Sequence, residues 1–252
     1  MARICAALGT ALGLQVEPRL WGTPHEIELG FAEDLVDVAW VSPALLLMGL
    51  DAVVPLVRSV RAGTGYYHSA LFVRADAAAR SVVGLRGLRA AWVAPTSASG
   101  YIFPRLALAD HGYDPRSFFG EETFLGSHGA VSRAVLSGEA DVGATYATFE
   151  NGDPTRTLLR APFLDETEGH ATRILFVSPA IPSDLIVANA NLPGPLRKKL
   201  QQAFERLADD PAARAAVKHV TGAEAFVAFE PGALNTLAAQ IETGKTLGLI
   251  RI

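Results

Sequence analysis

Two short stretches carry residue types able to hold an anion without a metal or a basic surface. The first, Arg89-Ala-Ala-Trp-Val-Ala-Pro-Thr96-Ser97-Ala98-Ser99-Gly100-Tyr101, reads as a strand, a hydroxyl-rich turn and the start of an apolar-periodic helix. Such a turn lies at the carboxyl edge of a parallel sheet, where ligands collect. Free N–H groups at a helix start, helped by its dipole, attract an oxyanion, and Ser or Thr hydroxyls can donate to the same oxygens. One hydroxyl would serve as an ordinary N-cap, but three in four positions exceed what a cap requires. The second stretch, Gly126-Ser127-His128-Gly129, opens another helix and offers an imidazole with one donor when neutral and two when protonated. A lone histidine at a helix start is more often structural or exposed; a second anion-facing turn beside it reverses that preference.

Two further positions complete the candidate set. Tyr66-Tyr67 stands at the edge of a strand-like run, where alternation sends only one ring to each side. Ser42 closes the run Val36-Asp-Val-Ala-Trp-Val-Ser ahead of Pro43, and an N-cap role for it is compatible with a ligand contact. Enzyme signatures are weak: there is no GxSxG elbow, no Walker loop, no HExxH and no strand-linked GxGxxG. The six histidines stand singly, so neither a metal nor another cofactor is expected. A serine hydrolase using Ser97 or Ser99 with His128 is conceivable, but nothing marks an orienting acid.

The elements that must position these residues follow from patterning. The 252 residues are 50% hydrophobic and 19% charged, enough for one large domain or two lobes. With 22 Lys+Arg against 26 Asp+Glu the net charge is −4, which disfavours nucleic acid as a partner and requires local dipoles to hold any anion. The single cysteine, Cys5, excludes an internal disulfide and reads as a small buried hydrophobe. No apolar run reaches a membrane span, and the start lacks the pattern of a secretory signal, which leaves the location open, a cytoplasmic one included.

Strands are expected at Leu14–Leu20, Val36–Val41, Arg89–Val93 and Asp141–Ala144, alternating with helices in an α/β architecture of largely parallel sheets. A helix over residues 23–31 has Thr23 as N-cap, Pro24 at the first helical position and Glu26 in the capping-box place. Further helices are expected at Ser99–His111, Ser127–Leu136, Pro195–Leu207 and Pro211–Val220. The longer β-like stretches Val53–Arg74 and Arg173–Ala188 are expected to connect two lobes, 1–68 plus 185–252 and an inserted 69–184, with a cleft between them.

The ordered set Val36 to Pro43, Gly65-Tyr66-Tyr67, Pro95 to Tyr101, Gly126-Ser127-His128, Gly138 to Ala144 and Ser178 to Pro182 resembles the phosphonate, phosphite and phosphate binding proteins of ABC transporters. These are the PhnD-like group of type 2 periplasmic binding proteins, and the resemblance spans about residues 14–210. It implies a two-lobed Venus-flytrap fold, a small tetrahedral oxyanion as ligand, a transporter permease as partner and a periplasmic or otherwise extracytoplasmic location. By the same resemblance, Ser97-Ala98-Ser99-Gly100 matches the family's serine turn, His128 its cleft histidine and Tyr66 or Tyr67 its hinge tyrosine; Thr96 is a candidate from the hydroxyl-rich turn itself.

Departures from the family bear on the ligand. Ala98 replaces a hydroxyl, Ser42-Pro43-Ala44 stands where the family has Gly-Pro-x-x-Tyr, and Thr145, Tyr146 and Thr148 occupy the region of a carboxylate that takes a ligand amine. Tyr146 joins the candidate contacts, and a smaller or differently substituted oxyanion is expected instead of an aminoalkyl phosphonate. Met1–Leu12 already resembles the family's first helix, so a first strand is expected to be missing, by truncation or loss; its loss would expose sheet edges and invite a homodimer. Two alternatives share the fold: a ligand-sensing domain of a signalling protein, and an enzyme of menaquinone-pathway type acting on a chorismate-derived carboxylate with His128 as acid or base.

Overall fold

The computed structural model describes residues 1–47, 50, 52–166 and 172–248. In chain order it opens with α1 (Ala2–Leu12), α2 (Pro24–Ala32), β1 (Val38–Val41), α3 (Pro43–Leu47), β2 (Val53–Val60) and β3 (Tyr66–Arg74). Next come β4 (Arg89–Trp92), a π-turn (Ala98–Ile102), α4 (Phe103–Asp110), β5 (Glu121–Phe124), α5 (His128–Ser137) and β6 (Val142–Phe149). Then follow β7 (Leu158–Arg160), α6 (Pro162–Asp165), β8 (Thr172–Val177), β9 (Ile181–Pro182) and β10 (Leu185–Asn189). The chain ends in α7 (Gly194–Arg206), α8 (Pro211–Thr221), β11 (Ala225–Ala228) and α9 (Asn235–Thr246).

These elements form two compact units, Met1–Tyr66 with Pro182–Asn235 and Tyr67–Ile181 with Thr236–Ile252. The boundaries at 66/67 and 181/182 fall in the two long β-like stretches. The tail from Thr236, expected with the first unit, groups with the second. Amphipathy shows that a helix such as α9 buries one face, here Leu237 and Ile241, but not against which unit.

The first unit is built on a sheet of order β1-β10-β2-β11 in which every pair is antiparallel. Alternation along β10 divides its core. Ile186 and Ala188 join Ile4 and Leu8 of α1, Leu200 and Phe204 of α7 and Val217 of α8, while Leu185 and Val187 join Phe31, Val36 and Val41 on the other face. Cys5 is buried and free in α1. The expected capping box is present: Thr23 Oγ1 accepts from the Glu26 N–H at 3.2 Å, and Glu26 Oε2 accepts from the Thr23 N–H at 3.3 Å. The strand expected at Leu14–Leu20 is absent. Gly13 turns left-handed, the Leu14 N–H closes back on the Gly9 carbonyl, and the segment meets no partner strand, so its alternation has no ladder to join.

The second unit carries a mixed sheet, ordered β5-β4-β6-β3-β8, with β7 beside β6. The pairs β4/β5 and β4/β6 are parallel, whereas β6/β3 and β3/β8 are antiparallel. The expectation of largely parallel sheets fails in both units. Alternation of strands and helices gives parallel neighbours only where successive strands lie side by side; here β10 returns between β1 and β2, antiparallel to both, and β3 runs antiparallel to its neighbours β6 and β8. Along β4, Ala90 and Trp92 pack with Leu108 of α4, while Ala91 packs with Val131, Ala134 and Val135 of α5. The two helices therefore lie on opposite faces of one sheet. Glu122 of β5 ties α4 to the sheet by accepting from Trp92 Nε1 at 2.7 Å and pairing with the buried Arg105.

Candidate functional site

The hydroxyl-rich turn follows β4 and begins in capped form: Ser97 Oγ accepts from the Gly100 N–H at 3.1 Å. The helix expected to start at Ser99 instead makes one wide turn before α4. Pro104 has no N–H to give the Gly100 carbonyl, which accepts from the Val93 N–H at 3.2 Å. The Ile102 N–H bonds the Ser97 carbonyl at 3.0 Å and the Phe103 N–H bonds that of Ala98, both one residue longer than in an α-helix. This leaves the Ser99 carbonyl to accept from Ser69 Oγ at 2.6 Å. A Cβ on Gly100 would lie 2.4 Å from Val93 Cγ2, so only glycine permits the turn to fold this closely against β4. Ser99 is buried, and its hydroxyl has no partner among the described residues. Thr96 is exposed in the turn.

The second turn lies beside the first because their strands run parallel. Leu125 N–H bonds the Trp92 carbonyl and Gly126 N–H bonds that of Val93, both at 2.9 Å, carrying the β4/β5 ladder to the foot of both helix starts. Ser127 caps α5 by accepting from the Ala130 N–H at 3.2 Å. His128, the first residue of α5, is half-buried, with Nδ1 2.9 Å from Thr145 Oγ1 and its ring at 5.1 Å from that of Tyr146 in an edge-on arrangement. Burial pushes its pKa down to about 4, so the imidazole is neutral at pH 7. Glu166 stands near Gly129 but pairs with Arg133 at 2.7 Å, which offsets its charge. Among the described residues, no group of three or more His, Cys, Asp or Glu side chains is arranged to hold a metal.

The second unit thus gathers Thr96, Ser97, Ala98, Ser99, Gly100, His128 and Tyr146 along neighbouring parallel strands, and Tyr67 opens its part of β3. Ser42 and Tyr66 belong to the first unit. Ser42 Oγ accepts from the Leu45 N–H at 3.2 Å, the capping role weighed from sequence. Tyr66 lies under the guanidinium of Arg58, 4.3 Å from its ring centre. Sequence reasoning passed over Arg58 and His68, and it noted Thr145 without selecting it. Arg58 is buried on β2, and His68 is buried with its ring nitrogens 2.8 and 3.0 Å from the carbonyls of Ser178 and Gly152. Strand parity could have found Thr145, two residues beyond Gly143 on the face of β6 that packs on α5.

Two α/β units with these sheets define a type 2 periplasmic binding protein fold, shared with solved structures across nearly the whole chain. A Xanthomonas citri protein bound to ATP matches at TM-score 0.75 and 20% identity, covering 97% of this chain and 92% of that one. PhnD1 from Prochlorococcus marinus in complex with methylphosphonate matches at TM-score 0.71 and 17% identity, covering 99% and 92%. A binding protein component of an ABC phosphonate transporter from Pseudomonas aeruginosa gives TM-score 0.70 at 19% identity, covering 98% and 81%. Residues 1–233 match the periplasmic substrate-binding proteins of phosphonate ABC transporters, and the chain belongs to that family. Among the described residues no helix is long and apolar enough to cross a membrane.

Proposed function

We propose that this chain captures a small tetrahedral oxyanion of the phosphonate, phosphite or phosphate type through the Ser97–Gly100 turn and His128, and delivers it to an ABC transporter permease. One observation carries the reading: two helix starts at the carboxyl ends of adjacent parallel strands, with the Ser99 hydroxyl and His128 Nε2 free of partners among the described residues. Oriented N–H groups, hydroxyls and a neutral imidazole donate to oxygens without a cation, in keeping with the net charge of −4. Family membership and the methylphosphonate bound by PhnD1 of Prochlorococcus marinus support the same ligand class. A histidine held neutral down to about pH 4 suits donation better than general acid–base work near pH 7, which counts against the enzyme alternative.

Isothermal calorimetry with methylphosphonate, phosphite, phosphate and sulfate tests the proposal. Ser99→Ala and His128→Ala are each expected to weaken the preferred ligand by about 1–3 kcal/mol with the fold intact, since each removes a donor to a charged acceptor. Unchanged affinity in both variants would overturn the site.

A further inference from the structure

We propose that Thr145 is a positioning residue that fixes His128 as an Nε2–H donor, so that the site takes an unprotonated ligand oxygen at that point. The inference rests on the ligand-binding role given to His128 above. It begins with Gly143, whose missing side chain lets α5 settle onto β6: a Cβ there would lie 2.7 Å from Val131 Cγ1 and 2.9 Å from Val135 Cγ2. Thr145 lies two residues further along the same face of β6, and His128 lies one turn before Val131 on the same side of α5. The row of close contacts therefore continues into the Thr145–His128 pair, whose Oγ1 and Nδ1 are 2.9 Å apart.

Thr145 is fully buried, and Nδ1 is the only hydrogen-bond partner of its hydroxyl among the described residues. If Nδ1 carried the proton, the hydroxyl would accept and its own hydrogen would be buried without an acceptor, which is costly. If the hydroxyl donates, both groups are satisfied and the ring proton resides on Nε2. Tyr146, edge-on to the ring at 75°, restrains its plane. Nε2 has no partner among the described residues and is left as a neutral donor, which suits an oxygen with a lone pair and not a P–OH offered as donor.

Long-range proton–nitrogen NMR of the ligand-free chain tests the assignment without any ligand. Wild type and Thr145→Ser are expected to show a protonated Nε2 and a bare Nδ1, while the nearly isosteric Thr145→Val shows mixed tautomers. Affinity for methylphosphonate is expected to fall about threefold to tenfold in Thr145→Val and to stay within about twofold of wild type in Thr145→Ser. Protonation on Nδ1 in the wild type, or unchanged tautomers in Thr145→Val, overturns the proposal; should that variant not fold, the wild-type and Thr145→Ser spectra decide it. A wild-type chain that shows the Nε2–H tautomer but binds none of the oxyanions overturns the ligand reading instead, and so separates the two failures.

Discussion

In the first unit β1 and β10 run antiparallel, so their carboxyl ends, and the helix starts that follow them, lie at opposite edges of the sheet. In the second, β4 and β5 run parallel, and the helix starts that follow them share one edge. The polar groups follow suit. Ser42 Oγ accepts from the start of α3, and the Arg58 guanidinium lies over Tyr66 with Nη2 3.8 Å from Glu230 Oε1, its Nε and Nη1 buried and unpartnered among the described residues. In the second unit the Ser99 hydroxyl and His128 Nε2, also without partners among the described residues, stand at helix starts along one sheet edge. Strand direction, more than the number of hydroxyls, decides whether capped helix starts lie together, as the proposed site requires.

The comparison can be broken most forcefully through pH, because the site proposed in the second unit includes a titratable group held neutral and Ser42 in the first does not titrate. Burial disfavours the His128 imidazolium in the folded chain, so between its folded value of about 4 and its ordinary 6.5 the unfolded chain binds more protons. The free energy of unfolding, and with it stability, should therefore rise with pH across that window. His128 contributes on the order of 3 kcal/mol at most above the ordinary value, lost as pH falls through the folded one. Urea unfolding at successive pH values, with His128→Ala beside wild type, measures this; an identical pH dependence in the two would remove His128 as the responsible group.

A smaller effect is expected from Gly100→Ala, whose Cβ would meet Val93 Cγ2 at 2.4 Å. Overpacking of this kind costs about 1–3 kcal/mol, and the displaced turn should lose ligand as well. Denaturation and calorimetry together check it: full affinity in a destabilised variant would show that the turn geometry does not matter to binding. The smallest effect sharpens the contrast from the other unit. Ser42→Ala should cost about 1 kcal/mol of stability as a lost cap while affinity for methylphosphonate stays within about twofold. A loss as large as that of Ser99→Ala would make Ser42 a ligand contact and erase the difference between the units.

Local signals were legible wherever the chemistry is local. The Thr23–Glu26 box, the Ser127 cap and the left-handed Gly138 that ends α5 each depend on a few consecutive residues. Leu14–Leu20 misled because alternation records a capacity to pair, and a strand exists only where a partner accepts it. The start of α4 misled because Pro104 acts four residues back, at Gly100, and a helical pattern fits the altered register equally well. The two units are each describable from hydrophobic periodicity, but strand direction is not, since period two is the same in parallel and antiparallel pairs.

By itself the sequence determined hydroxyls and a histidine at helix starts, a slight acidic excess, and the ordered motifs of the phosphonate-binding family. These are properties of short segments and sums, fixed before the chain folds. Tertiary structure alone decided that β4 and β5 lie side by side and parallel, that Gly143 lets α5 close onto β6, and that Thr145 meets Nδ1 of His128. Such contacts join residues far apart in the chain, and their geometry is set by how whole elements pack against one another.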